Sequence, residues 1–135
     1  MENNFVTWEQ AKLLKELGYN EECFGWYNYG RLVFFGCDLM LDGYAGEDNR
    51  PLAPLKQQAF KFFQENYYLY HNVYNYTHGE PTDEIPRGFT FSIDEDWICV
   101  VGKNEDGLFD KYYNTYVEAE FASIDKLIEL ASEKK

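Results

Sequence analysis

The sequence lacks any apolar run that could cross a bilayer. Its clean apolar stretches, such as Leu32 to Phe35, fall far short of the ~20 residues a spanning helix needs. The opening MENNFVTWEQ has neither the basic nor the apolar segment of a secretory signal. Cysteine is sparse: Cys23, Cys37 and Cys99 are odd in number, far apart and free of any CxxC pair. That pattern argues against a disulfide framework and a thiolate zinc site. The three read instead as reduced, buried, small hydrophobes of a cytoplasmic protein. Histidine is equally scarce. His71 and His78, with Glu80 and Asp83 nearby, make only a weak metal set. No P-loop, GxGxxG, HExxH or GxSxG motif occurs. DEDW (94–97) and NEDG (104–107) resemble fragments of calcium loops but lack the twelve-residue ligand pattern. A Cys–His nucleophile pair has no local support. Paired carboxylates cannot be inferred in a chain with 24 acidic residues. The expectation is a protein that is not an enzyme, with no cofactor and no metal.

Basic charge is the other shortage. Twelve Lys and Arg stand against 24 Asp and Glu, a formal charge of -12. Such a surface repels nucleic acid and anionic membrane and favours basic partners. Solubility alone is the plain alternative.

What is abundant is aromatic residues, at 19% of 135 positions. A chain of this length is one domain with enough apolar material for a core. Three segments read as helices, over 7–17, 54–67 and 115–131. Thr7 with Gln10, and Thr115 with Glu118, have capping-box spacing. Pro54 suits a first helical turn, and Gly18 supplies a stop. Helical spacing aligns Trp8, Ala11, Leu14 and Leu17 in the first. It aligns Leu55, Ala59 and Phe62, with Phe60, Phe63 and Tyr67, in the second. Val117, Phe121, Ile124, Ile128 and Ala131 line the third. These stripes are core rather than cofactor surface.

Between them lie strands. CFGWYNYGRLVFFGC predicts a hairpin turning at Asn28-Tyr29-Gly30. Its second arm is apolar on both faces, which suggests a central strand or one covered on both sides. FTFSID alternates cleanly, with Phe89, Phe91 and Ile93 opposite Thr90, Ser92 and Asp94. WICVV and LFDKYY read as further strands. The segments 38–53 and 78–88 are long loops, functional or disordered. The order α-β-β-α-β-β-β-α predicts a single α+β domain: a mostly antiparallel sheet with about three helices chiefly on one face.

One stretch stands apart. NYYLYHNVYNY (66–76) holds five tyrosines. Read as a strand, it puts Tyr68, Tyr70, Asn72, Tyr74 and Tyr76 on one face and Leu69, His71, Val73 and Asn75 on the other. Such a row can stack bases, line a small-ligand pocket, bind protein, or pack under helices with hydroxyls at the rim. No Lys or Arg lies between 64 and 80, which disfavours base stacking. A protein-binding face of Tyr68, Tyr70, Tyr74 and Tyr76, flanked by Glu80, Asp83 and Glu84, is the favoured functional reading.

FVTWEQAKLLKELGYNEECFGWY, APLKQQAFKFFQENY and YNTYVEAEFASIDKLIEL together resemble a group of small uncharacterised proteins encoded by bacteriophages and prophages of gut-type bacteria. The resemblance brings no catalytic residues. It implies a setting, the cytoplasm of a bacterial host, where small acidic phage proteins act by occupying a host protein. Inhibitors of CRISPR and restriction nucleases are examples. The partner it implies is a host protein with a basic surface, with no direct contact to nucleic acid and none to membrane. A nucleotide-signal binder is an alternative, with Arg31, Arg50, Lys56, Lys61 and Arg87 as scattered phosphate donors. A structural or housekeeping phage protein is another.

Overall fold

The computed structural model describes residues 2–37, 39–75, 88–96, 98–102 and 112–134. Thr7 opens helix α1 (Trp8–Glu16) with the expected capping box. Its hydroxyl accepts from the Gln10 amide at 3.1 Å, and the Gln10 side chain accepts from the Thr7 amide at 3.0 Å. The helix stops where Gly18 takes a φ of 98°. There the Gly18 and Tyr19 amides donate back to Lys15 and Leu14 in a Schellman turn.

Strands β1 (Gly25–Asn28) and β2 (Arg31–Phe34) form the expected hairpin, with Asn28 opposite Arg31. Tyr29 and Gly30 have φ of 50° and 91°, the left-handed pair that a two-residue type I′ turn requires. The segment expected as a long loop is tied down along its length. It holds a short helix, α2 (Leu39–Asp42), and the strand β3 (Leu52–Ala53). Asp42 accepts from the Trp26 indole at 3.1 Å and from the Gly36 amide at 2.9 Å. Arg50 lies over the rings of Tyr29 and Tyr44, 4.7 and 5.1 Å from their centroids. It donates to Asn28 at 3.2 Å and stands 3.9 Å from Glu47.

Strand order in this first sheet is β2-β1-β3. Among the described residues the apolar arm Leu32–Phe35 is therefore an edge rather than a central strand, and it is only partly buried rather than covered on both sides. β1 is central because the tied loop returns β3 to its free side. Trp26 is fully buried on one face of β1, and Tyr27 on the other donates its hydroxyl to the Val6 carbonyl at 2.6 Å.

Helix α3 (Lys56–Tyr67) starts after Leu55, which has no side-chain acceptor; Gln58 alone reaches back, taking the Leu55 amide at 2.8 Å. Strands β4 (Leu69–Asn75), β5 (Phe89–Glu95) and β6 (Ile98–Val101) follow and make a second antiparallel sheet in the order β4-β5-β6. Tyr113 adds a single bridge to Phe89. The rest of LFDKYY before Tyr112, and loop residues 78–87, lie outside the described residues. In helix α4 (Tyr116–Glu133), Thr115 accepts from the Glu118 amide at 3.1 Å. Among the described residues the return bond of that box is not made.

The domain is α+β and mostly antiparallel, as expected, with its described strands divided between two three-stranded sheets. Leu14, Phe63, Ile93, Ile124 and Leu127 belong to one continuous core between them. Besides the shorter Thr90, Ser92 and Ser123, the long polar side chains of Gln10 and Lys56 are buried, each 2% exposed. Gln10 donates to the Phe121 carbonyl at 2.9 Å and to Asp125 at 2.8 Å, tying α1 to α4. Lys56 pairs with Glu120 at 3.1 Å and lies 4.0 Å from the centroid of the Phe121 ring, tying α3 to α4. The expectation of buried cysteines needs correction. All three are free, but Cys37 and Cys99 are exposed and Cys23 is half-buried. Cys37 follows the left-handed Gly36 that turns the chain off β2, and Cys99 sits on β6, an outer strand of its sheet among the described residues.

Removing one partner of a buried ion pair leaves the other charge uncompensated. Lys56→Ala should therefore cost about 3 kcal/mol in urea unfolding. The double variant Lys56→Met/Glu120→Leu should recover most of that loss.

Candidate functional site

The alternation read from the sequence is present in β4. Leu69 is buried and His71 and Val73 are partly so, while Tyr70 is 46% exposed and Asn72 is exposed. Register with β5 sets Tyr70 opposite Asp94, Asn72 opposite Ser92 and Tyr74 opposite Thr90. The tyrosine side of β4 thus continues into the polar side of FTFSID. The two ends of that face differ. At one end Ser92 and Thr90 are buried, Tyr74 is half-buried, and its hydroxyl accepts from Ser92 at 3.3 Å. At the other end Tyr68 and Tyr70 stand open to solvent. Tyr76, Glu80, Asp83 and Glu84, the remaining members of the expected face, lie outside the described residues.

The open end is a groove of about 490 Å³ lined by Tyr68, Tyr70, Asn72, Asp94 and Asp96. Its size falls within the range of ligand-binding clefts. Among the described residues, none of these five side chains is held by a hydrogen bond or ion pair. The strand sequences LYHNVYN, FTFSIDE and ICVV contain no Lys or Arg. Elsewhere the cations are engaged: every described Lys and Arg except Arg31 pairs with a carboxylate. The Lys134–Glu95 pair fastens the end of α4 to β5 beside this groove.

Two of the lining residues sit on left-handed backbone. Tyr68, the C-cap of α3, has φ 56°, and Asp96 has φ 50°. Position 68 is where a helix usually ends on glycine. A tyrosine there carries a conformational cost of about 1–2 kcal/mol, and its ring is 63% exposed, so packing does not repay it.

Behind the tyrosines, His71 faces inward and stacks flat on Phe60, with centroids 3.4 Å apart and planes 9° from parallel. Its Nδ1 is buried without a partner among the described residues. Burial pushes its pKa down to about 4. His71 is therefore a neutral core ring, and the structure does not join it to a cysteine. The Cys23 sulfur lies instead within hydrogen-bond reach of the Tyr19 hydroxyl and the Glu21 carbonyl, and burial raises its pKa. No group of three or more His, Cys, Asp and Glu among the described residues is placed to hold a metal. The suggested phosphate donors do not converge either. Arg50, Lys56 and Lys61 each pair with a different carboxylate, Arg31 is on the far sheet, and Arg87 lies outside the described residues.

Sequence reasoning placed Tyr68 and Tyr70 but missed Asp94 and Asp96 as their companions. The signal was available: two consecutive alternating strands, paired antiparallel, merge their polar faces. No helix among the described residues is long and apolar enough to cross a membrane. No family model, curated protein or solved structure matches this chain.

Two outcomes are expected from stability measurements. Tyr68→Gly should leave stability unchanged or raise it by up to about 1 kcal/mol, because glycine relieves the left-handed strain. His71 should give the protein an acid-sensitive slope. Below pH 6.5 the unfolded imidazole gains a proton that the folded one refuses until about pH 4. Stability from neutral His71 is thus complete above about pH 6.5 and falls with pH by at most about 1.4 kcal/mol per unit. Urea titrations of His71→Phe should show that increment of slope removed.

Proposed function

We propose that this protein is a non-enzymatic, protein-binding module that presents an acidic, tyrosine-bearing sheet face to the basic surface of another protein. In the setting implied by the phage resemblance, it is an inhibitor acting in the bacterial cytoplasm on a nucleic-acid-binding or defence protein of the CRISPR or restriction nuclease type. The observation that carries this reading is the open end of the face. Tyr68 and Tyr70 stand exposed beside Asp94 and Asp96, at the end of a sheet whose strands β4, β5 and β6 carry no Lys or Arg.

The physical division of labour follows. Surplus carboxylates steer a basic partner towards the face and exclude phosphate-bearing competitors. Exposed tyrosines then supply contact area with little rotamer entropy to lose. A nucleotide-binding role draws less support, because among the described residues the groove that would stack a base is lined by carboxylates and by no cation.

The test is capture from bacterial lysate at low and high salt, with Tyr70→Ser and Asp94→Asn/Asp96→Asn run beside the native chain. Recovery of one nucleic-acid-binding complex by the native chain, lost at high salt and from both variants, is expected. Capture that is insensitive to salt and to both variants would sink the reading. Tyr70→Ser should change stability by less than about 1 kcal/mol, whereas Tyr74→Ser, half-buried and hydrogen-bonded, should cost about 1–3 kcal/mol.

A further inference from the structure

The geometry points to the groove of Tyr68, Tyr70, Asn72, Asp94 and Asp96 as a receptor for a single arginine side chain of the partner. This rests on the protein-binding reading above and names the chemical group that the face recognises. The same chain already builds such an environment around one of its own arginines. Arg50 lies over Tyr29 and Tyr44, with the Asn28 amide oxygen at 3.2 Å and Glu47 at 3.9 Å. Among the described residues the groove offers the same set without an arginine in it: two tyrosines, one asparagine and carboxylates. The likeness extends to the backbone, since Tyr29 and Tyr68 are both left-handed, with φ of 50° and 56°.

The chemistry selects guanidinium over other cations. A planar guanidinium stacks on phenol rings while its edge presents a fork of donors to a carboxylate. Asp94 and Asp96 supply acceptors for that fork, and the Asn72 amide oxygen can take a further donor. A lysine ammonium meets the same charge but lacks the plane and the fork. A metal ion would need more ligands than these two carboxylates and one amide.

The probe is a capped Gly-Gly-Arg-Gly-Gly peptide, titrated into the isotope-labelled full chain at low salt and followed by NMR. Counterparts carry lysine or citrulline, the latter a neutral copy of the arginine shape. Saturable shifts centred on Tyr68, Tyr70, Asp94 and Asp96 are expected, with affinity at least about tenfold lower for citrulline. Asp94→Asn/Asp96→Asn should weaken the arginine peptide to a similar degree, and Tyr68→Gly should weaken it while the fold is retained. Equal binding of citrulline or lysine, equal binding of choline, or no shift up to about 10 mM peptide would each overturn the assignment. If the peptide fails but Tyr70→Ser still loses the captured partner, the arginine receptor is wrong and the binding face stands. If the variants also keep the partner, both fall.

Discussion

The buried Lys56 ammonium is the constraint on which the arrangement turns. A charge at 2% exposure is tolerable only beside its counter-charge, so the first turn of α3 must meet Glu120 on α4. That fixes the axial position of α3. Eleven residues on, the same helix ends at Tyr67, and β4 begins at Leu69 after Tyr68 alone. The placement of the tyrosine strand is therefore inherited from an ion pair at the opposite end of a helix. Gln10 performs the matching task for α1, reaching the Phe121 carbonyl and Asp125 one turn further along α4. Helix α4 is thus the element against which the others are indexed, and Lys134 at its end holds β5 through Glu95.

Much of this was legible locally. Thr7 with Gln10, the stop at Gly18, the turn at Tyr29-Gly30 and the alternation of β4 and β5 all depend on neighbours a few residues apart. What escaped depends on long-range pairing. The apolar character of Leu32–Phe35 is as compatible with an edge as with a centre, and only the return of β3 to β1 decides between them. Gln10 and Lys56 look like surface residues of amphipathic helices until Asp125 and Glu120 are brought to them. Cysteine burial was misjudged for a related reason. Residues flanked by apolar neighbours need not share their environment, as the exposed Cys37 after a turn and the exposed Cys99 on β6 show. For the candidate site, the tyrosines were visible in the sequence, whereas the two aspartates became their companions only through strand register.

The face divides stability from availability along a single strand. At the Tyr74 end, hydroxyls satisfy one another over a closed surface. At the Tyr68 end, rings and carboxylates stay uncommitted among the described residues and rest on backbone that glycine would occupy more comfortably. Local compromise of that kind is found where a surface is shaped for something other than folding. His71 supports the arrangement from behind, giving the exposed strand a rigid aromatic backing on Phe60.

The three thiols have a practical corollary. Cys23 is quietened by burial, which raises its pKa, whereas Cys37 and Cys99 are exposed, so alkylating dyes should find those two first. Cys99 pairs across the sheet with Asp94, on the rim of the groove, whereas Cys37 follows the edge of the other sheet. The native chain thereby carries a reporter beside the groove and an internal reference on the far sheet, and fluorescence could follow its occupancy without an engineered residue.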